Sequence, residues 1–292
     1  MVNIAVESPW NMKTLIQKIH VEEHHSFACR TYKTPDFETA WHKHLECELI
    51  LITEGNGTAL IGDYIGEYKE GDVFFLSPDL PHWFRKSEHK MIGSAIVIHF
   101  LKDFLGETFL SLPELKNICR PLENNDTGIQ LQGQLAEDIA IIIKQMEQEE
   151  GLERIQLLLK GMQKIGTSSE QRTITTAFDS LAGGAENALI ETIIDYSFKH
   201  YLDPISLKEV AEMTKMSIPS FCRFFKRNIK KSYFDFIKEI RIGRACKLLR
   251  ETNRPVLNIC YDSGYNSWPN FSKQFKDVTK LSPSQYRRQH LA

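Results

Sequence analysis

The chain is expected to be an α+β multidomain protein: a small N-terminal β-barrel followed by a helical hairpin, then an all-α C-terminal domain of two helix-turn-helix units joined by a long helix. Three observations predict this. From Asn187 onward there are 19 Lys and Arg against 10 Asp and Glu, while the rest has 17 against 28, so a formal charge of −2 conceals a basic C-terminal part and an acidic N-terminal one. A stretch near the C-terminus repeats at an offset of 50 residues. Between Phe27 and Phe100, short apolar runs are punctuated by Gly, Asp and Pro, the pattern of closely spaced strands and turns.

At 292 residues the chain can bury two cores, and its 42% hydrophobic and 25% charged composition is that of a globular protein. Residues 1–20 lack a basic stretch followed by a long apolar core, so no signal peptide is expected. The longest apolar run, near Ile92 to Leu101, is interrupted by His99, and no membrane span is expected. Six cysteines without a Cys-x-x-Cys pair predict reduced thiols in a cytoplasmic protein.

Strands are expected over Glu48–Thr53, Thr58–Ile61, Val73–Leu76 and Ile92–Phe100, with turns at Glu54–Gly57, Gly62–Asp63 and Gly71–Asp72. His42, His44 and Glu48 share parity, so on one extended strand they point to one face. The turn Pro78-x-x-Pro81 can present His82 to the same space. This quartet suits either a pocket that hydrogen-bonds a small molecule, the favoured reading, or a divalent transition metal. Trp41, Trp83 and Phe84 are candidates for an aromatic wall against a ligand such as a sugar, with plain core packing as the alternative.

Helical periodicity predicts a hairpin from Gln130–Met146 and Leu152–Lys164, turning near Gly151. From Gly166 to Glu186 the composition is that of a linker, with one short helix near Ala177. The expected organisation is therefore 1–165 for sensing and dimerisation, 166–186 as linker, and 187–292 as the basic domain.

In the repeat, Ser217, Pro219, Phe221, Phe225, Lys226, Lys230 and Ser232 align with Ser267, Pro269, Phe271, Phe275, Lys276, Lys280 and Ser282. Each copy opens with a hydroxyl residue and a Pro, which starts a helix, and each carries Phe at i, i+4 on one face. A short amphipathic segment precedes each copy, the first opened by Ser206-x-x-Glu209, giving helix, turn, helix twice over. Tyr233 to Glu251 reads as the connecting helix, with Phe234, Ile237, Ala245, Leu248 and Leu249 at helical spacing. If the paired Phe rings take the buried faces, Pro219, Ser220, Cys222 and Arg223, with Ser267, Trp268, Asn270 and Lys273, are left to read bases. Lys226, Arg227 and Lys276 are better placed for phosphates.

Residues 187–292 resemble the DNA-binding domain of the AraC/XylS family of bacterial transcription regulators. The resemblance rests on Arg241-x-x-x-Ala245-x-x-Leu248-Leu249, Gly264-Tyr265, Phe271-x-x-x-Phe275-Lys276 and Ser282-Pro283-x-x-Tyr286-Arg287. That family often places Gly after each recognition helix, where this chain has Lys230 and Lys280. His42-x-His44-x-x-x-Glu48 with Gly55 and His82 resembles the cupin fold, whose metal-binding members take two His and a Glu from the first motif and a His from the second. Asp36 and Leu80 depart from the Gly positions of that pattern.

The resemblance implies a sequence-specific, non-enzymatic regulator that binds double-stranded DNA and a small-molecule effector, forms a homodimer through the hairpin, and needs no cofactor. RNA polymerase is a further partner that the resemblance leaves open. The alternative is a cupin-type metalloenzyme carrying a basic helical appendage.

Overall fold

The computed structural model describes residues 19–21, 25–34, 37, 41–87, 90–123, 127–175 and 184–290, excepting the side chains of 184–188. Asp36 and the helix expected near Ala177 lie outside the described residues. The chain divides into two compact units, Met1–Ala188 and Leu189–Ala292.

The first unit holds strands β1 (Ala28–Lys33), β2 (Cys47–Glu54), β3 (Asn56–Ile61), β4 (Tyr64–Lys69), β5 (Val73–Leu76), β6 (His82–Lys86), β7 (Ser94–Phe100), β8 (Gly128–Leu131) and β9 (Gln171–Thr173). They form a six-stranded sheet in the order β1-β7-β2-β5-β8-β9 and a three-stranded sheet in the order β4-β3-β6. The pairings among these strands are antiparallel. Helices α1 (Glu107–Leu110), α2 (Lys116–Glu123), α3 (Gly133–Gln148) and α4 (Gly151–Thr167) complete the unit.

Strand alternation sorts the side chains into two cores. Leu49, Leu51, Phe75, Ile96, Ile98 and Phe100 pack with Leu135, Ile139, Leu158 and Met162 of α3 and α4. Their neighbours Ile50, Ile52, Phe74, Ala95 and Val97 face the other way and pack with Ala59, Ile61 and Phe84 of the smaller sheet. The large sheet is thus covered on both faces, which is why β2 and β7 read as nearly unbroken apolar runs. Each fully buried Leu, Ile or Phe contributes up to about 1.5–3 kcal/mol.

Several boundaries differ from those expected, among them the start of β7 at Ser94 in place of Ile92, which is exposed. Gln130 and Leu131 belong to β8, and the helix starts only at Gly133, whose φ of 54° breaks the chain direction. Leu131 has an apolar partner on the sheet, so its hydrophobicity carries no helical information. The expected linker is also shorter: Gly166 and Thr167 finish α4, and β9 extends the sheet. Just before β9, the Glu170 carboxylate accepts the Leu135 N–H at 2.9 Å, satisfying an orphan donor at the start of α3.

The second unit is helical: α5 (Gly184–His200), α6 (Leu207–Met213), α7 (Ile218–Ile229), α8 (Tyr233–Glu251), α9 (Val256–Asp262), α10 (Trp268–Thr279) and α11 (Pro283–His290). Ser217 and Ser232 cap α7 and α8 through their side-chain oxygens. The repeat is also a tertiary one. Phe225 stacks edge-on to Phe236 at 5.3 Å, and their counterparts Phe275 and Tyr286 do the same at 5.6 Å. Phe221, Phe225, Phe271 and Phe275 are fully buried. Phe234, counted in the apolar stripe of α8, is instead 55% exposed, because Tyr233, Phe236 and Ile237 occupy the inward face.

Candidate ligand site and nucleic-acid interface

His42, His44, Glu48 and His82 come together in the first unit, but not by the expected route. Only Glu48 lies on β2; His42 forms an isolated bridge with His82, and His44 stands between them outside any strand. His42 N–H donates to His82 O at 3.2 Å and His82 N–H to His42 O at 2.9 Å. In the Pro78–Pro81 turn, Asp79 adopts φ 59° and donates its N–H to His44 O at 2.8 Å. A pinned turn, rather than strand parity, therefore aligns the imidazoles.

The structure adds a residue that sequence reasoning missed. His99 on β7 pairs in register with Glu48, and its Nε2 lies 3.5 Å from Glu48 Oε1. Its parity matches Ala95 and Val97, both inward-facing, but without the β2–β7 register it reads only as an interruption of an apolar run. All five groups are buried, Glu48 at 5% exposure and His99 at 3%.

The hydrogen bonds assign the tautomers. His44 Nδ1–H donates to Glu46 O at 3.1 Å, and His82 Nδ1–H donates to Leu80 O at 2.8 Å. In the neutral rings both Nε2 atoms then carry lone pairs, yet they lie 3.2 and 2.8 Å from Glu48 Oε2. His82 Nε2 lacks the alignment of a hydrogen bond, and His99 Nδ1 is a buried nitrogen with no partner. Two states satisfy this arrangement. Either an imidazole takes a second proton and faces the carboxylate as a cation, or lone pairs and carboxylate converge on a positive ion. Burial alone would push the Glu48 carboxyl up, but in the first of these states the charge on His82 and hydrogen bonds from the surrounding imidazoles outweigh it, holding Glu48 well below the usual carboxylate range.

Donor atoms of His42, His44 and His82 lie within 4.8 Å of one another, as do those of His44, Glu48 and His99. The set of imidazoles plus one carboxylate fits Zn, Mn, Fe, Ni or Cu in kind. Beside it opens a cavity of about 40 Å³ with Tyr32, Phe37, Phe84 and Val97 as its apolar wall. Trp41 and Trp83 do not line this cavity, although both are buried. Trp83 sits between His82 and Phe84 on β6, so strand alternation turns it away, with Arg85 5.4 Å from its ring centre.

In the second unit, Pro219, Cys222, Arg223, Lys226 and Arg227 of α7 are exposed, and Ser220 is half-buried. On α10, Trp268, Asn270, Lys273 and Lys276 are exposed, with the preceding Ser267 half-buried. Each helix thus presents a polar or cationic face opposite its buried Phe rings, three on α7 and two on α10. Arg241 of α8 holds the two halves in place: Nε donates to Tyr201 O at 2.6 Å, and Nη2 to Asp203 O at 2.8 Å.

The sequence profile of an AraC-like ligand binding domain matches residues 24–163, and that of a helix-turn-helix domain matches residues 210–289. Regulatory protein SoxS of Salmonella typhimurium is 30% identical over 99 residues, covering 34% of this chain and 92% of that protein. The chain belongs to the AraC family. As an AraC-family protein it is a DNA-binding transcription regulator with a ligand-binding domain, and not an enzyme. The uncharacterized regulator YdeC of Bacillus subtilis is 22% identical over 270 residues, 85% of each chain. The crystal structure of ToxT from Vibrio cholerae aligns over 91% of this chain and 98% of that one, at 12% identity and a TM-score of 0.36. Among the described residues, no helix is long and apolar enough to cross a membrane.

Proposed function

We propose that this AraC-family regulator couples a cupin-like sensor to a reader of two adjacent major grooves. One observation carries the DNA half: the repeat-equivalent ring pairs, Phe225–Phe236 and Phe275–Tyr286, seat α7 and α10 alike in their two half-domains. The 19 residues of α8 span roughly 28 Å, close to the ~34 Å between successive major-groove faces. Pro219, Ser220, Cys222 and Arg223, with Ser267, Trp268, Asn270 and Lys273, read base edges. Lys226, Arg227 and Lys276 hold phosphates.

In the sensor, the His42–His44–Glu48–His82–His99 cluster receives the effector. The cavity beside it, lined by His42, Glu48, His82 and His99 as well as Tyr32 and Phe84, offers polar groups and ring faces to a small polar effector, a carbohydrate among them. The α3–α4 hairpin supports a homodimer through its exposed Ile141 and Leu152. All six cysteines are free thiols, which suits the cytoplasm. The stretch between β9 and α5 joins sensor and reader, and contact with RNA polymerase would convert DNA binding into transcription control.

A second reading of the cluster is favoured by the tautomers: a divalent ion is the ligand, or part of it. His44 and His82 each fix Nδ1 on a backbone carbonyl and turn Nε2 to the carboxylate, the usual outer support of metal-binding imidazoles. His42, His44, Glu48 and His82 would hold it, and the ion would supply positive charge and open positions for an anionic effector.

The test of the DNA half is fluorescence anisotropy of the full chain with duplexes from its host's promoters at rising salt. Log affinity should fall with log salt at a slope of about −0.9 per phosphate contact. A flat response removes the reading.

A further inference from the structure

Among the described residues, only Asp79, Lys215, Lys230 and Lys280 are non-glycine residues with positive φ. The three lysines, at φ 55°, 61° and 63°, all lie in the helix-turn-helix unit. They occupy related places. Lys215 forms the turn before α7; Lys230 and Lys280 are the left-handed residues that end α7 and α10. The counterpart of Lys215 in the second half is Gly264, at φ 82°. There a Cβ would meet Tyr201 O at 2.8 Å and Leu202 Cα at 3.0 Å, so no side chain fits. Within the described residues of the second unit, the left-handed positions hold Gly at the crowded turn and Lys at the other three.

Left-handed backbone favours Gly and, after it, Asn; a Lys there carries a steric cost at its Cβ that Gly would not. Position supplies a use that offsets this cost. Recognition helix α7, at 12 residues, is roughly 18 Å long, whereas the major groove is about 12 Å wide. A residue at the C-cap of such a helix, or in the turn ahead of its N-cap, is placed toward the phosphate ridges. Lys215 and Lys280 are exposed and have no carboxylate partner among the described residues. No Asp or Glu occurs from Lys215 to Lys231.

We propose that Lys215, Lys230 and Lys280 are phosphate clamps that bracket the two recognition helices, retained in left-handed turns because DNA contact outweighs the backbone strain. This rests on the DNA-reading function proposed above. The rival is local: Lys280 Nζ–H also donates to Asp277 O at 2.8 Å, so a lysine could serve only to satisfy the end of its helix.

The experiment uses the full chain, one fixed 30-base-pair duplex of arbitrary sequence, and the variants Lys215→Gly, Lys230→Gly, Lys280→Gly and their combination. Thermal melting and salt-dependent anisotropy are read together. Each Gly variant is expected to melt at or above the wild-type temperature while its salt slope becomes shallower by about 0.9, and that of the triple variant by about 2.7. Per lysine, the affinity lost between 50 and 200 mM salt then shrinks by about 3.5-fold. Lys→Arg at each site should keep the slope. Gly variants with lower melting temperatures and unchanged slopes would assign the lysines to the helix ends and overturn the proposal. A wild-type chain with no salt-dependent binding would instead fail the DNA reading itself.

Discussion

The Arg241 guanidinium lies 5.7 Å from the centre of the Tyr265 ring. Its hydrogen bonds run the other way, to the carbonyls of Tyr201 and Asp203, so one side chain ties the end of the first half-domain's α5 to the second half-domain's turn. Gly264 leaves the room for this, since a Cβ there would also meet Arg241 Nε at 3.1 Å. Removing Arg241 orphans two carbonyls and a ring face. Arg241→Ala should destabilise the domain by about 2–3 kcal/mol, read as a lower urea midpoint with an unchanged slope. An unchanged midpoint would deny the tie.

Arg223 and Lys226 sit one turn apart on the exposed side of α7 and should respond differently. Arg223→Ala is expected to relax preference at one or two base pairs, at a cost of about 1–3 kcal/mol on the specific site. Lys226→Ala should weaken specific and random duplexes alike. Competition binding with single-base variants of a promoter site separates the two; equal losses for Arg223→Ala would make it a backbone contact.

The tautomers of His44 and His82 predict how the sensor unit treats metals. Full-length protein dialysed against Zn²⁺ or Mn²⁺ and then metal-free buffer should retain one equivalent by elemental analysis. His82→Ala and Glu48→Gln should lose it, while DNA affinity measured without effector stays within about twofold, because the two functions lie in separate units. Failure of wild type to retain either ion leaves the cluster as an effector pocket only.

Thiol reactivity should sort the cysteines. Burial pushes the Cys47 thiol up to about 12 and the Cys29 thiol up to about 11, so neither forms thiolate near neutral pH. Cys222 is exposed on α7. With a disulfide reagent at pH 8, Cys222 should label first, and duplex DNA should slow that labelling if α7 lies in the groove. Labelling of Cys222 at equal rates with and without saturating DNA would place α7 away from it.

The sequence by itself determined the two-part charge division, the repeat at 50 residues and the seating of its four phenylalanines. These are local matters: a period of 3.6 and a capping Ser decide which face of a short helix is apolar, whatever lies beyond it. The candidate donors His42, His44, Glu48 and His82 were legible by type and spacing as well. Only tertiary structure decided how they meet. His99 joins them because β7 pairs with β2 in one register, a non-local choice that no window around His99 contains. Trp83 leaves the pocket and Phe84 enters it by the same alternation, once β6 is set against β3. Leu131 became strand because β9 offered it a partner in Gln171, and Lys230 and Lys280 became left-handed because packed helices on either side fixed where the chain must turn. Where neighbours in sequence set the energy, the residues could be read in order; where distant segments set it, the same residues were silent until the register was known.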